Sequence, residues 1–137
     1  MLGRCATFIE SFAAGALRRG SRVEQFLGAT DGSPVAGIRW VEVVPRGEGF
    51  AVVLHEAEDI GGERFADLAA FPDFPGPDGE ERFGTEVGVA VEGLEALTVA
   101  EETTGAVRHR WVNSGVAQDE YLDFVRAGRP ANWPVDA

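Results

Sequence analysis

The stretch from Ile38 to Leu54 constrains this chain most. Ile38, Trp40, Val41, Val43 and Val44 are followed by the turn formers Pro45-Arg46-Gly47-Glu48-Gly49 and then by Phe50, Val52, Val53 and Leu54. β-Branched and aromatic residues on either side of a glycine-containing turn predict an antiparallel hairpin. Along its first strand Val41 and Val43 point opposite to Ile38 and Trp40, so both faces are apolar. A strand of that kind belongs at the centre of a sheet covered on both sides. The rest of the chain must therefore supply two covering layers.

Upstream, Phe8, Ile9, Phe12, Ala16 and Leu17 recur at three- and four-residue steps, predicting an amphipathic helix over about residues 5–19, closed by Gly20 with Arg18 and Arg19 at its carbonyl end. Ser21 is placed to cap a short second helix through Val23, Phe26 and Leu27, ended by Gly28. Residues 30–34 read as a loop. Downstream, Phe65, Ala69 and Phe71 alternate as a third strand would; Phe65, Leu68 and Ala69 also suit a helical turn, and the strand is the preferred reading. Three prolines among residues 72–77, followed by Gly79, predict an acidic surface loop over 72–84. Val87, Val89 and Val91 alternate as a half-buried strand. Leu94 to Thr103 reads as a helix stopped by Gly105. Val107, His109 and Trp111 alternate with Arg108 and Arg110 as a further strand. Asn113 or Ser114 then caps a last helix that buries Tyr121, Leu122 and Val125 and ends at Gly128, and a tail carrying Trp133 lies against the body. No repeat is present. The expected fold is one α+β domain over residues 1–137: a mostly antiparallel sheet of four to five strands, with two N-terminal helices, one inserted helix and one C-terminal helix packed on it.

The 137 residues suffice for one such domain with a core of its own. Cys5 is the only cysteine, so no disulfide forms within the chain, and a reducing, cytoplasmic compartment is expected. Its neighbours Ala6, Phe8 and Ile9 suggest a packed thiol. Glu10 and Ser11 interrupt the apolar start before a signal-peptide core forms, and no apolar run reaches the ~18 residues of a membrane span.

Charge is the strongest compositional signal. The chain carries 23 acidic and 12 basic residues, a net charge of -11, and every basic residue is arginine. Without lysine, Schiff-base and lysine-base chemistry are excluded, and the arginine-only, alanine- and glycine-rich composition matches the coding bias of a GC-rich bacterial genome. Residues 31–102 hold 17 acids against four arginines, while the flanking segments are near balance or slightly basic. Such a field repels nucleic-acid phosphates and anionic lipid and speeds encounter with basic partners. It also keeps a small protein soluble.

Motifs for catalysis are missing. No serine has glycine two residues before and after it, as a nucleophile elbow requires. A phosphate-binding Walker loop needs the absent lysine, and Gly47-Glu48-Gly49 lacks the third glycine of a dinucleotide turn. No cofactor is implied. In His55-Glu56-Ala57-Glu58-Asp59 the histidine points opposite to Glu56 and Glu58 on a strand, which suits a solvated strand end better than a metal cluster. Arg108-His109-Arg110-Trp111 resembles a nucleic-acid contact strip, but pairing of both arginines with acids on a neighbouring strand, at ~0.2–1 kcal/mol per pair, fits an acidic chain better.

Three functional classes follow. The first is a non-enzymatic acidic protein engaging a basic protein partner, such as an immunity-type inhibitor of a cationic nuclease toxin. Its expected contacts are Asp73, Phe74, Asp78, Glu80 and Glu81 on the loop, with Glu101 and Glu102 at a helix end; Phe74 stands out as an aromatic that no element buries by periodicity. The second is a small-ligand or regulatory module with a pocket between sheet and helices, lined by Trp40, His55, His109 and Trp111. The third is an enzyme using carboxylates with His55 or His109.

Overall fold

The computed structural model describes residues 11–30, 36–74 and 83–134. The predicted hairpin is present as β2 (Gly37–Arg46) and β3 (Gly49–Glu58), paired in unbroken antiparallel register from Gly37 opposite Glu58 to Arg46 opposite Gly49. β1 (Val23–Thr30) lies along the other edge of β2, β4 (Thr85–Ala90) along β3, and β5 (Val112–Asn113) along β1. The order β4-β3-β2-β1-β5 puts β2 at the centre of a five-stranded antiparallel sheet, as its two apolar faces require. This is an α+β fold. No helix among the described residues is long and apolar enough to cross a membrane.

Each face has its own core. On one, Val23, Val41, Val43 and Val52 pack against α1 (Phe12–Arg18) through Ala13, Ala16 and Leu17 and against α2 (Gly93–Thr104) through Ala96, Leu97 and Ala100. On the other, Phe26, Ile38, Trp40 and Ala57 meet Ala117, Tyr121 and Phe124 of α3 (Ala117–Arg126), with Leu68 and Phe71 from the β3–β4 connection. Close approach is met by glycine: a Cβ on Gly88 of β4 would lie 2.5 Å from Val99 of α2. Ser11 caps α1 by accepting from Ala14 N–H, and Gly105, at φ +83°, terminates α2 as expected.

Four local expectations change. The second N-terminal helix is strand β1: Val23, Phe26 and Leu27 fit helical spacing, but so short an apolar run is ambiguous, and the open edge of β2 offers this segment a full ladder of hydrogen bonds. Gly28 is no helix stop; it follows a register shift at φ +102°, and the Trp133 side chain fills the space its Cβ would need. The segment 65–71 forms a single 3₁₀ turn, Leu68–Ala70, in place of a strand, and the sheet edge is continued two residues later. There Glu58 N–H donates to Pro72 C=O and Phe74 N–H to Glu56 C=O, taking over the β3 edge beyond the reach of β4. The predicted strand of Val107, His109 and Trp111 is a 3₁₀ turn, Arg108–Arg110, leading into β5. Its strand partner is replaced by a side chain, because the Gln25 amide accepts from Val107 N–H at 2.9 Å and donates to Val107 C=O at 3.0 Å. The part of the first helix before residue 11, and the loop at 31–34, lie outside the described residues.

α3 starts without a capping side chain of its own, so Asn113 and Ser114 do not play that part. Glu24 of β1 supplies it: Oε2 accepts from Gly115 N–H at 2.9 Å and from Ala117 N–H at 3.0 Å. The far end is tied down by Asp59, which accepts from the Tyr121 hydroxyl and pairs with Arg129 at 2.7 Å. Burial first, and then Asp59, push the Tyr121 hydroxyl pKa up to about 12. Replacing Glu24 by alanine should orphan two N–H groups and cost about 2 kcal/mol in urea unfolding. Glu24→Gln keeps an acceptor and removes a charge, so it should cost well under half of that.

Candidate functional site

The face covered by α3 turns polar at one end. Counting along β2, Ile38, Trp40 and Glu42 share that face, and so do Glu24 and Phe26 of β1 and His55 of β3. Glu24 stands directly opposite Glu42, both buried, an arrangement that like charges disfavour. Each carboxylate is compensated differently. Glu24 takes the two N–H groups at the start of α3, where a helix favours negative charge. Glu42 accepts from Arg22 at 3.3 Å and meets His55 Nε2 at 2.7 Å. Glu24 is nonetheless held above the usual carboxylate range, by burial first and by Glu42 second, against the hydrogen bonds from Ala117 and Gly115 that pull it down.

His55 is the centre of this group. Its ring has no exposure to solvent, stacks on Trp40 at 3.9 Å and 10°, and meets the Phe83 ring at 4.5 Å. Nε2 faces Glu42, and Nδ1 lies 3.6 Å from Asp73 Oδ2, within reach of charge but too long for a hydrogen bond. Burial alone would lower the imidazole pKa; Asp73 and Glu42 outweigh it and raise the value above 6.5. Two carboxylates and two aromatic faces thus favour the imidazolium more than water does. Asp73 is in turn fixed by the N–H of Gly84, which has φ +81°, where a Cβ would lie 2.7 Å from His55 Cε1 and 2.5 Å from Val53 Cγ1.

Beside this group a cleft of about 180 Å³ opens between the sheet, the 3₁₀ turn at Leu68 and the start of α3. Arg22, Glu24, Trp40, Glu42, Asp67 and Phe83 supply its chemistry, and Ser114, Gly115 and Gln118 close one side. Glu24 Oε1 carries no hydrogen bond among the described residues, since both bonds to α3 use Oε2. The buried indole N–H of Trp40 also has no acceptor among them. Phe83 is 60% exposed although it touches His55. No group of three metal-ligating side chains suited to an ion occurs among the described residues.

Sequence-predicted positions are distributed unevenly around this site. Of the expected pocket, Trp40 and His55 come together, while Trp111 is buried in the opposite core and His109 is exposed on its 3₁₀ turn. His55 itself is no solvated strand end. Of the expected contact residues, Asp73 is an internal partner of His55 and Gly84, and Phe74 covers Gly37, whose Cβ would lie 2.8 Å from the ring. Glu101 is engaged by Arg108 and by the Trp111 indole N–H, and Glu102 is exposed on α2. Arg108 and Arg110 do pair with acids, Glu101 and Glu120, but these stand on helices and not on a neighbouring strand. Asp78, Glu80 and Glu81 lie outside the described residues. Arg22, Glu24, Glu42 and Phe83 are additions. Glu42 had a visible signal, an acid in phase with Ile38 and Trp40.

No family model matches the chain, and no curated protein or solved structure matches it either.

Because the folded-state pKa of His55 is raised, its contribution to stability is complete below 6.5 and disappears as pH rises through the raised value. The urea midpoint should therefore climb as pH falls from 8 toward 6.5, and His55→Gln should flatten that rise. Gly84→Ala forces a side chain into the His55 ring from a left-handed backbone and should cost about 2 kcal/mol or more in the same assay. Gly47→Ala, at φ +60° with nothing within 4 Å, should cost about 1 kcal/mol.

Proposed function

We propose that this chain is a binding protein for a basic protein partner, and that the cleft beneath Phe83 receives one cationic side chain of that partner. The cleft itself carries the reading. Its 180 Å³ falls short of the about 300 Å³ at which small-molecule pockets begin, yet it accommodates the end of one long side chain. Its lining is acidic by Glu24, Glu42 and Asp67 against Arg22 alone, and it is walled by Trp40 and Phe83. Carboxylates beside aromatic faces are the surroundings a guanidinium or ammonium group prefers. Arg22 already occupies one Glu42 oxygen, which leaves Glu24 Oε1, Asp67 and the ring faces for an incoming cation. The unpaired Trp40 N–H offers a donor to a carbonyl arriving with it.

An exposed aromatic at the rim of a desolvated pocket is the common form of an interface anchor, and Phe83 has that placement. A net charge of -11 would add long-range attraction for a cationic partner. Neutralisation of a basic effector, such as a nuclease toxin, is the role that fits these features together. The enzyme reading receives less support: the His55 ring has no exposure to solvent and both its nitrogens face carboxylates of this chain, so the ring is not presented to a substrate.

The site can be tested without knowing the partner. Titration with N-acetyl-arginine amide should move the Trp40 indole N–H resonance saturably, and N-acetyl-citrulline amide, which has the same shape without the charge, should leave it in place. Phe83→Ala should weaken the arginine response about five- to tenfold. Equal responses to the two probes, or none to either, would overturn the assignment.

A further inference from the structure

Phe83 and Gly84 lead directly into β4, the outermost strand on that side of the sheet. Among the described residues β4 pairs only with β3. Natural sheets blunt such edges with charges, bulges or prolines. The first half of β4 follows the rule: Glu86 carries charge, paired with Arg46, and the β3–β4 register shifts between Val52 and Val53. The second half does not. Val89 is 63% exposed, Val91 just beyond the strand 73% and Leu94 on α2 53%, and a shallow groove of about 400 Å³ runs past Val89 and Val91 to Phe50. Glu95 and Arg46 line it, Arg46 being held by Glu86, and the exposed acids Glu48 and Glu92 adjoin its lining residues Gly49 and Val91 in sequence.

We infer that the β4 edge takes up an extended segment of the basic partner, as a sixth strand whose side chains alternate between apolar and arginine or lysine. Main-chain hydrogen bonds to β4 would supply affinity, the Val89–Val91 groove would hold the apolar positions, and the surrounding acids would select the basic ones. Charge decides the occupant. A second copy of this chain would bring the same acids, and a net -11, against themselves, whereas a basic strand is complementary. Phe83, at the rim of the cleft, stands two residues ahead of Thr85, where β4 begins. The inference rests on the basic-partner reading and adds to it the partner's conformation and a second surface.

The test uses the full chain and a capped octapeptide of alternating valine and arginine, with amide exchange of β4 and the Trp40 indole signal read together. The peptide should slow exchange across β4 saturably, and its counterpart with glutamate for arginine should not. Methylating alternate peptide nitrogens removes main-chain donors while keeping every charge, and should weaken binding about tenfold or more. Unchanged affinity on methylation, or a Trp40 response without β4 protection, overturns strand addition and leaves the cleft assignment standing. No response at either place removes both. β4 protection that grows with protein concentration alone, with dimers in sedimentation, would make a second copy the occupant and overturn the inference.

Discussion

The α3 side of the sheet is organised around carboxylates taken out of water. Glu42 and Asp73 flank His55, Glu24 sits opposite Glu42, and all are largely buried. An ion taken out of water costs several kcal/mol unless partners replace its hydration. Here the replacements come from distant parts of the chain: Arg22 before β1, the first turn of α3, His55 on β3, and Gly84 ahead of β4. Four segments are held in register by one group of charges. A purely apolar layer would have packed this face without such demands, so the cleft that Arg22, Glu24 and Glu42 of this group line is the place to look for their use.

The partition of this face follows from sequence parity. Phe26, Ile38, Trp40, Ala57, Tyr121 and Phe124 form the apolar end, and Glu24 and Glu42 occupy the next inward positions on β1 and β2. The charges therefore form a continuation of the core. Their position at its edge lets the aromatic packing hold Trp40 and His55 rigid while one side of the group meets solvent through the cleft. A rigid floor favours binding because little side-chain freedom remains to be lost.

How far this was legible in the sequence depended on the range over which each signal acts. The β2–β3 hairpin, β4, the α2 helix with its Gly105 stop, and the central place of β2 all rest on periodicity and turn residues within about a dozen positions, and all are present, although Val89 and Val91, expected on the half-buried face of β4, are exposed. Val23 to Leu27 and Val107 to Trp111 misled because their conformations are set by remote partners: the free edge of β2 in the first case, the Gln25 amide in the second. The site suffered in the same way. His55 was separable from Glu56 and Glu58 by strand parity alone. Its actual partners are 13 and 18 positions away and depend on register, so no spacing rule joins them. With residues 21–28 read as a helix, Glu24 could not be placed beside Glu42 at all.

Net charge was informative in total and misleading in detail. The block between residues 31 and 102 contains Glu42, Asp59 and Asp73, which serve internal structure. Arg39 and Arg46 pair with Glu56 and Glu86, and Arg108, Arg110, Arg126 and Arg129 each face a carboxylate of their own. What arginine pairing leaves over is a smaller set of exposed acids, and Glu48, Glu92 and Glu95 of that set gather beside the β4 edge. Counting acids along the sequence therefore overstates how many can meet a partner, and points to the 72–84 loop when part of that loop, Asp73, faces inward. Among the described residues, the surfaces with unmet bonding capacity include the cleft at Trp40 and the outer edge of β4. Phe83 rims the first and stands two residues ahead of the second, so both belong to one stretch of chain.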